Sequence, residues 1–172
     1  MEQDIFKIVV TGPESSGKTT LAKDLATALG CPCVPEFARP YITHLGRLYN
    51  YNDLKIIALG QQTWEDWFCR WYSPTPFLIS DTDWSVIRIW ELYKYGTVVI
   101  TSPPPPLADL YLLCSPDFEW QPDPVREHPR ERPALFALYL SLLCATGARY
   151  HIMTGNPKTR LETARQLIRK YY

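Results

Sequence analysis

The sequence predicts an α/β fold built on a parallel sheet, and three observations carry that prediction. Short β-branched or apolar runs alternate with longer stretches of helical periodicity. The first apolar run, Ile5 to Thr11, passes directly into a glycine-rich turn and then an amphipathic stretch. A later apolar run, Phe77 to Ser80, ends in Asp81-Thr82-Asp83. At 172 residues the chain is expected to form a single domain over 1–172 with a core of its own.

Each element follows from its residues in turn. Ile5–Thr11 reads as a buried strand. Leu21, Leu25 and Leu29 recur at helical spacing, so Thr19–Leu29 is a predicted helix with Gly30 as its stop. Cys31–Pro35 is a short second strand leading into Glu36, and Arg39–Leu48 a helix with Pro40 in its first turn. Asn52 or Asp53 is expected to cap a helix over Leu54–Trp71, broken by Ser73-Pro74-Thr75-Pro76. Phe77–Ser80 is the third strand and Trp84–Tyr95 the next helix. Ser102–Pro106 reads as a polyproline-type connector, and Leu110–Cys114 as the fourth strand. The polar, Pro-rich residues 115–133 form a long loop of the kind often used as a lid. Ala134–Ala145, Tyr150–Thr154 and Lys158–Arg169 complete the set as helix, strand and helix.

Composition excludes several classes. Lys+Arg and Asp+Glu number 18 each, so binding nucleic acid through bulk positive charge is not expected. The five cysteines lack the paired spacing of a zinc site and read as reduced and structural. No run approaches the roughly 20 apolar residues of a membrane span, and the acidic start Met1-Glu2-Gln3-Asp4 is unlike a signal peptide. A cytoplasmic enzyme acting on a small molecule is the expectation, with neither nucleic acid nor membrane as partner.

Gly12-Pro13-Glu14-Ser15-Ser16-Gly17-Lys18-Thr19 matches the phosphate-binding P-loop pattern at every fixed position, between a strand and a helix as that pattern requires. Gly12 and Gly17 allow backbone angles that turn successive N–H groups toward phosphate oxygens. Lys18 supplies positive charge to the β- and γ-phosphates, and the Thr19 hydroxyl a ligand for Mg²⁺. The helix N-terminus adds its dipole. Glu14, Ser15, Ser16, Thr20, Arg130 and Asn156 complete the residues assigned to the nucleotide, which is expected to be ATP.

A second Mg²⁺ partner is usually an Asp ending a nearby apolar strand, and Asp81 has that position. Asp83 and Trp84 are candidates for the substrate side, with capping of the helix that starts at Trp84 as the alternative for either Asp81 or Asp83. Glu36 lies past the second strand, where ligands of open α/β sheets bind, and is the candidate general base. Arg39 would pair with Glu36 or a phosphate, the alternative being a surface ion pair for both. Arg126, Arg130 and Arg132 lie in the long loop, and arginines there can cover charge spread over a transferring phosphoryl group. Arg126 is the favoured catalytic one, with solvated pairing to Glu127 and Glu131 as the alternative. His44, His128 and His151 read as structural or solvent-facing. One aromatic between Tyr49 and Tyr72, or Trp84, is a candidate to stack on a flat heterocycle.

With these motifs in place, the chain resembles the nicotinamide riboside kinase domain of the bifunctional NadR-type proteins. The likeness rests on the P-loop Glu14-Ser15-Ser16, Glu36-Phe37-Ala38-Arg39, and Tyr51-Asn52-Asp53 with Ala58 and Gln61-Gln62. Asp81-Thr82-Asp83, Asp109-Leu110, and Trp120 with Asp123 and Arg126 continue it in order along nearly the whole chain. The resemblance implies a P-loop three-layer sandwich: a five-stranded parallel sheet in the order 2-3-1-4-5, helices on both faces, and an arginine-bearing lid at about 115–133. It implies transfer of the ATP γ-phosphate to the 5′-hydroxyl of a ribonucleoside, nicotinamide riboside, with Asp53 or Asp83 on the ribose hydroxyls. The chain departs from it at Pro35, where many relatives have Trp; at Asp123-Pro124, where the family has Asp-Gly; and in the run Pro103–Pro106. The relatives' N-terminal adenylyltransferase domain has no counterpart here, so synthesis of NAD from the mononucleotide is not expected. A kinase for another nucleoside or small alcohol, and a regulatory P-loop ATPase or GTPase, are the other readings.

Overall fold

The computed structural model describes residues 5–71, 75–96, 106–123 and 126–172. The expected break at Ser73-Pro74, most of the polyproline connector and Pro124 therefore lie outside the described residues, as does the acidic start.

Among the described residues, five strands and six helices follow in the order β1 (Phe6–Thr11), α1 (Lys18–Leu29), β2 (Cys33–Val34), α2 (Ala38–His44), α3 (Tyr51–Trp71), β3 (Phe77–Asp81), α4 (Trp84–Tyr95), β4 (Leu110–Cys114), α5 (Arg132–Ala145), β5 (Tyr150–Met153) and α6 (Pro157–Tyr171). The strands form one parallel sheet in the order β2-β3-β1-β4-β5, as the resemblance implied.

Alternation along the central strands generates the three layers, because successive side chains face opposite sides of a sheet. Ile8 and Val10 of β1, with Leu110, Leu112 and Cys114 of β4, pack under Leu21 and Leu25 of α1 and Ala164 and Ile168 of α6. Val9, Tyr111 and Leu113 face the other way, onto Leu54 and Ile57 of α3, Val86 and Ile89 of α4, and Leu135, Tyr139 and Leu143 of α5. Both faces are thus sealed, which a parallel sheet requires. The five cysteines are unpaired, and burial pushes the Cys33 thiol up to about 12 and Cys31 to about 11, so both are held as neutral thiols.

Three element boundaries differ from expectation for local reasons. β2 shrinks to two residues between Pro32 and Pro35, neither of which can donate to a ladder. α2 ends at His44 rather than Leu48, and Gly46 in a left-handed conformation turns the chain. α3 starts at Tyr51, capped by Asn50 rather than Asn52 or Asp53. Asn50 Oδ1 accepts Asn52 N at 2.9 Å, while Asp53 Oδ2 reaches back to Asn50 N at 2.7 Å, a reciprocal cap.

The sheet brings the carboxyl ends of β1 and β3 level, with Val10 paired to Asp81. Leu112 of β4 is fully buried beside them. Leu112→Ala is expected to lower the unfolding free energy by about 2–5 kcal/mol, read from the midpoint of a denaturant transition.

Candidate active site

The P-loop fills the turn between β1 and α1, and two glycines make its path possible. Gly12 has φ +135°, and a Cβ there would lie 2.6 Å from the Cys114 carbonyl oxygen of β4. Gly17 has φ +80°, and a Cβ would meet the Phe118 ring at 2.7 Å. Ser15 also takes a positive φ of 56°. No side chain caps α1, which leaves the first-turn N–H groups to an anion. Lys18 Nζ donates to the Pro13 carbonyl at 2.8 Å across the loop.

Thr19 Oγ1 donates to Asp81 Oδ2 at 2.6 Å, joining the loop to the end of β3. Asp81 Oδ1 is buried with no hydrogen-bond partner among the described residues. Burial raises the Asp81 carboxyl above the ordinary Asp range, while the Thr19 bond and Lys18 oppose that rise. A buried carboxylate oxygen with no donor, beside a hydroxyl, is a donor set suited to a hard divalent cation. Among the described residues no group of three or more His, Cys, Asp or Glu could hold a metal by itself, so the remaining ligands would be phosphate and water.

A cavity of about 370 Å³ opens over the loop, bordered by Glu14, Lys18, Thr19, Thr20, Glu36, Arg39 and Arg126, among others. Glu36 keeps 21% of its side-chain exposure at this wall. Burial raises its pKa first of all; Lys18 pulls it down and Asp81 pushes it up. A second cavity of about 310 Å³ adjoins, sharing Glu14, Ile42 and Trp90 and adding Arg47, Tyr49, Glu127 and His128. Trp90 lies 5.8 Å from Tyr49, ring to ring, at 30°. His128, expected to be structural or solvent-facing, lines this second cavity and packs edge-on against Tyr93.

The segment after β4 is fastened to the loop through Glu14 and Ser15. Glu14 accepts the backbone N–H groups of Glu127 and His128 at 3.1 Å each. Ser15 Oγ accepts Gln121 N at 3.0 Å and Arg126 Nη1 at 3.3 Å. Arg132 Nη1 donates to the Phe118 carbonyl at 2.7 Å. Arg39 holds Asp123 through two contacts of 3.0 Å and forms the expected pair with Glu36 more loosely, at 3.9 Å.

Several expected site residues lie elsewhere. Asp53 is 2% exposed and bound by Arg47 at 2.7 Å and Tyr41 at 2.8 Å. Those hydrogen bonds, Arg47's foremost, hold it well below the usual carboxylate range, and it serves the α3 cap. Asp83 caps α4 through Ser85 N at 3.0 Å and accepts the Tyr111 hydroxyl at 2.9 Å; it borders neither cavity. Trp84 likewise borders neither and lies under the Arg88 guanidinium. Arg130 is exposed and away from the cavities, and Asn156 caps α6 by accepting Thr159 N.

Other residues at the site were not anticipated. Arg160, 1% exposed, donates to the carbonyls of Ser16 at 2.6 Å, Gly155 at 2.9 Å and Ser115 at 2.9 Å, and to Asp117 at 3.1 Å. Its guanidinium also faces the Phe118 ring at 4.6 Å. The signal was its place in the i, i+4, i+8 stripe of Arg160, Ala164 and Ile168, where a charge has no reason to be buried unless it is bonded. Trp90 was similarly readable as the next turn after Val86 on α4.

A P-loop between the first strand and helix of a 2-3-1-4-5 parallel sheet, with an Asp on the neighbouring strand end, defines a P-loop NTPase-type domain. A family model described as an AAA domain matches residues 7–160, and the chain belongs to that family. Comparison with curated protein sequences gives no match. Among solved structures, NadR in complex with NR superposes with a TM-score of 0.79 at 22% identity, covering 98% of this chain and 52% of that one. NadR in complex with NAD and AMP-PNP gives 0.75 at 20% identity, covering 98% and 50%. Deoxyadenosine kinase from M. mycoides with bound dATP gives 0.64 at 12%, covering 95% and 99%. The chain therefore spans about half the length of the NadR proteins, and these likenesses establish a shared fold.

Arg160→Met should remove one buried cation and leave three carbonyls without a donor. The expected loss is about 3 kcal/mol of unfolding free energy, measured by chemical denaturation.

Proposed function

We propose that the protein is an ATP-dependent kinase that phosphorylates the 5′-hydroxyl of a ribonucleoside, with nicotinamide riboside as the acceptor. The observation that carries this reading is one cavity wall bearing both the phosphate-binding Lys18 and the acidic group Glu36, whose pKa burial has raised. A hydrolytic switch needs only a positioned water; a half-buried base beside a second, aromatic-edged cavity suits an acceptor.

In this reading Lys18 and the loop amides hold the ATP phosphates in line with the acceptor. Thr19 and Asp81 would hold Mg²⁺, which when bound neutralises phosphate charge; the partnerless Asp81 Oδ1 fits that use. Glu36 accepts the proton of the attacking hydroxyl. Arg126 would cover charge on the transferring group from a lid at about 115–133, and its position at the cavity wall, 3.3 Å from the Ser15 hydroxyl, supports that use. The acceptor's ring would lie toward Trp90, which supplies an aromatic face where the chain has Pro35, Tyr49 being stacked on Trp90 and covered by Lys94. A pyridinium ring suits that face together with the Glu14 and Glu127 carboxylates beside it. The fold shared with a NadR structure in complex with NR supports the same acceptor.

A coupled assay of ADP release over a nucleoside panel tests this directly. Turnover with nicotinamide riboside is expected; turnover only with other nucleosides would replace the acceptor, and acceptor-independent hydrolysis would replace the reaction. Lys18→Ala should abolish turnover. Glu36→Gln should lower kcat by roughly 10²- to 10⁴-fold. The acid limb of the kcat profile should lie above the ordinary Glu value of about 4.3, because the raised pKa keeps the base protonated to higher pH. That limb should vanish in Glu36→Gln.

A further inference from the structure

Gly60 and Gln61 take no part in the chemistry proposed above, yet α3 brings both against the turn that carries Glu36. Glycine is unfavourable inside a helix and needs a reason to be there. Here a Cβ at position 60 would lie 2.3 Å from Phe37 Cε1, so α3 is bare where the Phe37 ring rests on it. Trp64, one turn on, packs edge-on against the same ring at 4.9 Å.

Gln61 is 3% exposed and follows immediately. Its Oε1 accepts Phe37 N at 2.8 Å, and its Nε2 donates to the Pro35 carbonyl at 3.4 Å. One amide therefore grips the backbone on both sides of Glu36. The same Nε2 lies 3.4 Å from Ser80 Oγ, the residue before Asp81, and Ser80 is held in turn by Glu65 at 2.8 Å.

We propose that Gln61, seated by Gly60, is a positioning residue: it fixes the backbone around Glu36 so that the carboxylate stays at the cavity wall, and through Ser80 it ties that placement to Asp81. This rests on the kinase reading, in which Glu36 is the base. An amide is suited to the task, since it donates and accepts at once without adding charge beside two buried acids. Released from this grip, Glu36 would turn toward water and lose both its geometry and the burial that raises its pKa.

The test is Gln61→Met, which keeps length and apolar bulk but removes all three hydrogen bonds. The expected result is a kcat lower by about 10- to 100-fold, as for a misplaced reacting group. KM for ATP should stay within about twofold, because the phosphate loop is untouched. The acid limb of the kcat profile should move to lower pH, and the Phe37 amide should exchange faster with solvent. Wild-type kcat and an unmoved limb would overturn the inference. So would a fall in kcat matched by a rise in the ATP KM with the limb in place, which marks general loosening. Should Gln61→Met fail to fold, Gln61→Asn, one methylene too short to reach both peptide groups, gives the same readouts. Glu36→Gln measured in parallel separates the two claims: if it leaves turnover unchanged the kinase reading fails, and if it alone slows turnover only the role of Gln61 falls.

Discussion

The bond from Thr19 to Asp81 is the constraint on which the rest of the site depends. It exists because β1 and β3 are neighbours in parallel register, which ends both strands at the same level. It forces the P-loop to close over β3, and it leaves Asp81 one bare oxygen in a buried place. A buried acceptor without a donor is costly. The strain sits beside it: Thr82, β-branched, has φ +70° immediately after Asp81. Such a conformation persists only where surrounding contacts over-determine it, and Thr82 N is held by the Val10 carbonyl at 2.9 Å.

The phosphate loop is supported from two directions. Arg160 braces it from behind, replacing the solvation of a buried guanidinium with four hydrogen bonds and an aromatic face. Glu14 and Ser15, the variable positions within the loop, reach forward to the segment after β4. These positions distinguish this loop from a generic one, and in the structure their side chains bind that segment.

How far the sequence could be read varies with the physics involved. The alternating pattern of the strands and the leucine spacing of α1 revealed the sheet and its layers, since burial enforces both. The P-loop and Asp81 were legible because each lies in local sequence next to the element that positions it. Asp53 and Asp83 share one ambiguity: an acidic residue near a helix start looks alike whether it caps or binds ligand, and the caps seen here show only through partners such as Arg47 and Tyr111. Where Arg126, Arg130 and Arg132 lie relative to the cavity could not be read from their spacing, because loop geometry is not encoded in it. Arg160 and Gln61 act through contacts 144 and 24 residues away, which no local pattern reveals. Both nevertheless occupy buried stripes of their helices, where a polar residue asks for a partner.

The central claim, that Glu36 faces an acceptor hydroxyl across a bound triphosphate, is tested most directly by a crystal structure with a non-hydrolysable ATP analogue, Mg²⁺ and nicotinamide riboside. The 5′-hydroxyl is expected within hydrogen-bond distance of Glu36 and in line with the γ-phosphate, with the pyridinium ring toward Trp90. A nucleoside bound with that hydroxyl directed away from Glu36, or a water in its place at the γ-phosphate, would contradict it.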